Sequence, residues 1–96
     1  NEVLLSAASY WEIAIKVGLG KLTLAEPYGS FIIRMLAENS LTVLPVELRH
    51  AAAVVDLPLY HRDPFDRMLI AQAISENVPI VSADAAFDAY PVKRLW

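Results

Sequence analysis

The stretch that decides the fold is Asp63-Pro64-Phe65-Asp66-Arg67-Met68-Leu69-Ile70-Ala71-Gln72-Ala73, which is followed by Pro79-Ile80-Val81-Ser82. Asp63 is a good helix N-cap, and Pro64 suits the first helical position because its missing N–H would be unpaired there anyway. The pattern predicts a helix that ends near Glu76, with Met68, Leu69, Ala71 and Ala73 facing inward. A short buried strand is predicted at 79–82, and a helix leading into such a strand is typical of an α/β fold.

The rest of the chain repeats this alternation. The other predicted strands lie at 3–7, 41–44 and 92–95. The other predicted helices lie at 9–17, 27–39 and 46–55, with one helical turn at 85–89. Strands that alternate with helices predict the α/β class with a mostly parallel sheet. Hydrophobic residues make up 56% of the chain, which fits strands buried on both faces.

Residues spaced three or four apart predict the inward faces of these helices. The predicted sets are Trp11, Ile15 and Leu19 in the first helix, Phe31, Ile32, Met35 and Leu36 in the second, and Leu48, Ala52 and Val55 in the third.

Length and composition set the class of protein. The 96 residues are enough for one small domain. The chain has no cysteine, which excludes a disulfide framework and a thiolate metal site and fits a cytoplasmic protein. No apolar run approaches a membrane span. A net charge of −3 disfavours binding of nucleic acid by charge neutralisation alone. Because the chain opens on Asn1 rather than Met, we expect it to be a fragment.

Three carboxylates stand near the starts of predicted helices. Glu12 follows the first strand, Asp66 lies in the first turn after Asp63, and Asp84 follows the third strand. Ligands of open α/β sheets bind outside the carboxyl ends of the strands. Grouped carboxylates repel one another unless a cation joins them, and oxygen ligands suit Mg²⁺ or Mn²⁺. Such an ion can activate water for phosphodiester hydrolysis, so the cluster indicates a nuclease.

Each acid also has a structural interpretation. Glu12 fits a capping box with Ser9, and Asp66 would favour the helix dipole. Asp84 is an ordinary N-cap or turn residue. From the pattern alone, these roles outweigh catalysis for each acid taken singly.

Three motifs in order resemble a known family. Ser9-Tyr10-Trp11-Glu12-Ile13-Ala14-Ile15-Lys16, the stretch from Asp63 to Ala73, and Pro79-Ile80-Val81-Ser82-Ala83-Asp84-Ala85-Ala86-Phe87 resemble the second, third and fourth motifs of VapC-type PIN domains. The resemblance implies a PIN-like three-layer α/β/α fold and an endoribonuclease that depends on Mg²⁺ or Mn²⁺. It also implies a toxin of a type II toxin–antitoxin system, a homodimer inhibited by a cognate antitoxin.

The resemblance assigns roles to particular residues. Glu12, Asp66 and Asp84 would hold the metal and carry catalysis, and Ser82 would assist. The family also begins with a central strand that ends in a first catalytic aspartate. The chain lacks that motif, so we expect residues 1–96 to form a single, N-terminally incomplete PIN-like domain.

Several weaker candidates and alternatives stay open. Lys16, Lys21 and Arg67 could meet RNA phosphate, although a solvated or ion-paired role is as consistent with the sequence. Asp63 fits a cap better than a ligand, and His50 and His61 lack metal-ligand spacing. Asp88, four residues after Asp84, could line the same edge of the sheet, although a surface position fits it better. One alternative function is a catalytically inactive PIN module that acts in dimerisation or antitoxin binding. Another, a receiver-like phosphoacceptor domain, would leave Glu12 unexplained.

Overall fold

The computed structural model describes residues 3–81 and 85–95. Contacts divide the chain into two compact units, Asn1–Pro45 and Val46–Trp96. Each unit combines helices with one parallel pair of strands, so the predicted α/β class and parallel pairing are confirmed.

The first unit contains two strands and two helices in the order β1 (Val3–Ser6), α1 (Ala7–Gly18), α2 (Tyr28–Glu38) and β2 (Leu41–Leu44). β1 and β2 pair in parallel, in a register that runs from Val3 opposite Leu41 to Ser6 opposite Leu44. This arrangement requires a crossover, which the two helices supply. All four elements were predicted, with shifts of one or two residues at their ends.

The start of α1 differs from the prediction in a way that changes the environment of Glu12. Ser6, rather than Ser9, is the N-cap, and its hydroxyl accepts a hydrogen bond from the Ala8 N–H. The predicted capping box between Ser9 and Glu12 is therefore wrong. A serine at the end of an extended strand caps the helix as soon as the backbone turns, which places Glu12 well inside α1.

The predicted inward stripe of α1 is also wrong. Trp11 is 60% exposed and Leu19 is 65% exposed, whereas Ala8 is buried. Helical periodicity shows which residues share a face but not which face contacts the core. In α2 the predicted face is confirmed, since Ile32 is buried and Phe31, Met35 and Leu36 are partly buried.

The second unit contains α3 (Leu48–Asp56), α4 (Pro64–Glu76), β3 (Ile80–Val81), a 3-10 turn (Ala85–Ala89) and β4 (Arg94–Leu95). β3 and β4 pair in parallel, with Ile80 opposite Arg94 and Val81 opposite Leu95. The strands predicted at 79–82 and 92–95 are thus present but shorter within the described residues.

α4 is the central helix of this unit. It begins as predicted, with Asp63 as N-cap and Pro64 in the first turn, and it ends where Asn77 takes the left-handed conformation. Its four consecutive residues Ile70, Ala71, Gln72 and Ala73 are buried. Ile70 packs in a cluster with Phe87 and Tyr90, so the middle of α4 is buried on every side.

α3 presents a different face from the predicted one. Leu48 is 85% exposed and Val55 is 82% exposed, while His50 is fully buried. The His50 Nδ1 accepts the Glu47 N–H at 3.0 Å, and its Nε2 lies 3.1 Å from Glu76 Oε2. Because Nδ1 is an acceptor, Nε2 carries the proton and donates it to the carboxylate. A hydrogen-bonded histidine can therefore occupy the buried face that the apolar pattern assigned to leucine and valine.

Glu76 connects α4 to two residues of α3. It forms an ion pair with Arg49 and accepts the hydrogen bond from His50. Arg49, and to a smaller extent His50, hold the pKa of the Glu76 carboxyl below its ordinary value. The ionised form of Glu76 therefore stabilises the packing of α3 against α4.

We predict that Ile70→Ala lowers the free energy of unfolding by about 2–5 kcal/mol, because it leaves a cavity at a fully buried position. Ile33→Ala is the matched control, since Ile33 is 71% exposed in α2 and should change stability by no more than ~0.5 kcal/mol. Urea denaturation measures both. Equal effects of the two substitutions would contradict the assigned core.

We predict that Glu76→Gln destabilises the protein near neutral pH and that the difference from the wild type disappears in acid. The pKa of Glu76 is depressed in the folded state, so its stabilisation is complete above the ordinary pKa of an unfolded glutamate and is lost as pH falls through the folded value. Urea denaturation at pH values from 7 down to 3 measures the difference. Glu38→Gln, which alters an exposed pair with Arg34, is the control. A difference independent of pH would disprove the ionic contribution.

Candidate active site

Asp66 occupies the first turn of α4, where two neighbours fix it. Its backbone N–H donates to Asp63 Oδ1 at 3.0 Å, which is the capping bond of the helix. Its side-chain Oδ2 lies 2.7 Å from His61 Nε2. Because a carboxylate only accepts hydrogen bonds, the His61 Nε2 carries the proton. The Asp66 side chain keeps 26% of its surface exposed, so its carboxylate is both oriented and accessible.

The segment before α4 is held by the buried Tyr90. The Tyr90 hydroxyl donates to the Pro58 carbonyl at 2.7 Å and accepts the His61 N–H at 2.9 Å. The His61 and Phe87 rings also form a T-shaped pair, with ring centroids 6.2 Å apart. His61 is therefore fixed through its backbone and its ring as well as through its bond to Asp66.

Arg67 follows Asp66 and binds backbone carbonyls of the same segment. Its Nη1 donates to the carbonyls of Pro58 and His61, and its Nη2 donates to those of Val54 and Leu57. These contacts satisfy carbonyls at and beyond the end of α3, where a positive charge also complements the helix dipole. Arg67 thus has a structural role in the second unit, and its contact with a substrate stays a prediction.

Glu12 lies in the middle of α1 with its side chain partly exposed. Its Oε2 is 3.4 Å from Lys16 Nζ, one helical turn further along, and the Lys16 side chain is 53% exposed. Exposed ion pairs of this kind contribute little to stability, so the Glu12 carboxylate remains available to a stronger cation. Lys21 lies after the helix and is exposed.

The remaining candidates differ in what the structure says of them. Ser82 and Asp84 lie outside the described residues. Asp63 is the α4 cap, as predicted. Asp88 forms a two-point pair with Arg94 at 2.9 and 3.0 Å, and this arginine lowers the pKa of the Asp88 carboxyl. Asp88 is thus engaged by a cation already present in the chain.

The donor chemistry of Glu12 and Asp66 fits a hard divalent cation. Both offer carboxylate oxygens that are partly exposed, which are the ligands that Mg²⁺ and Mn²⁺ prefer. Over residues 3–81 and 85–95, no group of three or more histidine, aspartate or glutamate side chains is gathered as a metal site. Of the two acids proposed as ligands in the second unit, Asp66 lies within the described residues and Asp84 does not.

A comparison with protein families identifies the family of the chain. A family model described as PIN domain matches residues 1–93, nearly the whole chain. The chain belongs to the PIN domain family. It is also similar to Ribonuclease VapC16 of Mycobacterium tuberculosis (strain ATCC 25618 / H37Rv), with 44% identity over 52 residues. That alignment covers 54% of the chain and 37% of the relative. No solved structure shows significant similarity to the chain.

The sequence motifs do not predict one of the residues that contact Asp66. His61 lacks metal-ligand spacing in the sequence, yet its ring binds Asp66. The available signal was its position two residues before the Asp63 cap, from which a side chain can reach back over the first turn of a helix. That signal is weak because many side chains occupy this position without such a contact.

In the described part of this PIN domain, no helix is long and apolar enough to cross a membrane.

We predict that Arg67→Lys lowers the free energy of unfolding by about 1–3 kcal/mol, because one ammonium group cannot reach the four carbonyls that the guanidinium joins. Hydrogen exchange of the amides in residues 57–62 should also accelerate. Arg62→Lys is the matched control at an exposed position of the same segment, and it should change stability by no more than ~0.5 kcal/mol. Unchanged stability and exchange in the Arg67 variant would show that its contacts do not hold the segment.

Proposed function

We propose that this PIN domain belongs to a metal-dependent endoribonuclease that hydrolyses RNA phosphodiester bonds. The observation that carries the proposal is the accessible Asp66 carboxylate, held by His61 in the first turn of α4. Membership of the PIN domain family and partial similarity to a protein named as a ribonuclease support the same conclusion.

In this proposal Glu12, Asp66 and Asp84 hold Mg²⁺ or Mn²⁺, and Ser82 assists by hydrogen bonding. The ion, when bound, supplies a polarised water and positive charge for the phosphodiester. The assignment of Glu12 and Asp66 is supported by their accessible carboxylates. The assignment of Asp84 and Ser82 rests on their place in the motif from Pro79 to Phe87.

The chain's own residues would prepare the site in distinct ways. His61 holds Oδ2 of Asp66, so that the carboxylate keeps one orientation. Glu12 exchanges its weak pair with Lys16 for the divalent cation. Lys16 is then free to face an RNA phosphate, and Lys21 adds a second exposed positive charge. Two lysines near the phosphodiester that is cleaved would attract RNA locally, although the net charge of the protein is −3.

We extend the proposal to the biological role that the motif resemblance implies. The protein would act in the cytoplasm as the toxin of a type II toxin–antitoxin system, as a homodimer bound by a cognate antitoxin. Exposed apolar side chains support a protein partner, among them Leu48 and Val55 of α3 and Trp11 of α1. Such residues commonly mark interaction surfaces when they are contiguous.

We predict that Asp66→Asn and Asp84→Asn in the complete natural protein each lower Mn²⁺-dependent RNA cleavage by more than ~100-fold, since loss of a ligand should exceed the usual effect of losing an outer partner. Cleavage of total RNA, followed over time with Mn²⁺ or with EDTA, measures the effect. Circular dichroism should show an intact fold for both variants.

The control is Asp56→Asn, at an exposed acid that ends α3, which should cleave at the wild-type rate. Wild-type rates in the Asp66 and Asp84 variants would overturn the site assignment. If the wild-type protein cuts no RNA with Mn²⁺, the proposal fails and the inactive PIN module becomes the better description.

A further inference from the structure

We propose that His61 is a positioning residue for the metal site: its ring N–H orients the Asp66 carboxylate before a cation arrives. The inference rests on the proposed function, because it takes Asp66 as a metal ligand. The His61 Nε2–H donates a hydrogen bond to Asp66, and His61 itself would not bind the metal.

The geometry of the contact supports an orienting role. The His61 Nε2 lies 2.7 Å from Asp66 Oδ2, within the short range that is typical of hydrogen bonds to ionised acceptors. The bond fixes rotation of the carboxylate about its terminal torsion, which otherwise is broad. A carboxylate offers about four lone-pair directions, so one donor on Oδ2 leaves Oδ1 and part of Oδ2 open to a cation.

His61 is held as firmly as an orienting residue requires. Tyr90 binds its N–H, Arg67 binds its carbonyl, and Phe87 packs against its ring. Tyr90 and Phe87 are buried, so these contacts connect the ring to the core of the second unit. The Asp66 backbone is fixed separately by the Asp63 cap.

A purely structural role of His61 would give a different experimental result. If His61 only tied its segment to α4, removing the ring N–H would lower stability and leave metal affinity unchanged in the folded protein. If it orients Asp66, removal weakens metal binding in a protein that remains folded. Partners that hold metal ligands typically contribute 10–100-fold in affinity, on the order of what we expect here.

The test is Mn²⁺ binding by isothermal titration calorimetry without RNA, in the complete natural protein. His61→Phe keeps a ring against Phe87 but removes the donor, and it should raise the Kd for Mn²⁺ about 10–100-fold. His61→Gln places an amide N–H near the position of Nε2 and should stay within about threefold of the wild type. The melting temperature without metal reports folding of each variant.

An unchanged Mn²⁺ affinity in folded His61→Phe would overturn the proposal. If that variant does not fold, His61→Asn replaces it, because asparagine keeps the polarity but is too short to reach Oδ2. Weaker binding by the asparagine variant than by the glutamine variant supports the proposal, and equal binding overturns it.

Asp66→Asn distinguishes this inference from the proposed function. If Asp66→Asn weakens Mn²⁺ binding but His61→Phe does not, the metal site stands and only the role of His61 is wrong. If the wild type binds no Mn²⁺, or if Asp66→Asn binds it normally, the site assignment fails and the role of His61 fails with it.

Discussion

The second unit depends on the hydrogen bonds that surround the N-terminus of α4. Three of the five residues from Asp63 to Arg67 have different roles there. Asp63 caps the helix, and Arg67 binds four backbone carbonyls of the preceding segment and the end of α3. Asp66 exposes its carboxylate. The middle of the same helix is fully buried, so the accessible acid projects from the best-packed element of the unit. Sites supported in this way hold their geometry better than sites on free loops.

The acids of the chain differ in the basic groups that they contact. Several of its acids already have basic partners, namely Glu26 and Glu38 with Arg34, Glu76 with Arg49 and Asp88 with Arg94. Within residues 3–81 and 85–95, Glu12 pairs with the exposed Lys16, and Asp66 accepts a hydrogen bond from His61. Two of the three acids that the motifs single out are therefore held by a weak or an orienting partner, which is what the proposed role as metal ligands requires.

Local patterns predicted much of the fold, because caps, prolines and strand-forming runs act over a few residues. The start of α4, the end of α2 and strand β2 follow from such signals at Asp63, Asn39 and Leu41. The inward faces of α1 and α3 did not follow, because periodicity cannot choose between two faces. Buried His50 is an example, because its hydrogen bonds to Glu47 and Glu76 allow a polar residue to occupy the face that the apolar residues leave.

The motifs assign the acids of the candidate site, but they carry no information about the surroundings of those acids. The assignment of Glu12 and Asp66 rests on their motifs, whereas the bond from His61 and the carbonyl contacts of Arg67 depend on how the segment between α3 and α4 folds back. Such contacts join residues through backbone geometry that no short pattern encodes. In the proposed site, these contacts would hold the Asp66 carboxylate in the orientation that binds a metal ion.

A crystal structure of the complete protein soaked with Mn²⁺, with anomalous diffraction recorded at the manganese edge, would show whether Asp66 is a metal ligand. We predict an anomalous peak at a coordination distance of roughly 2 Å from an Asp66 oxygen, with His61 Nε2 still bonded to Oδ2. A manganese peak elsewhere, or a well-ordered Asp66 without a peak, would contradict it.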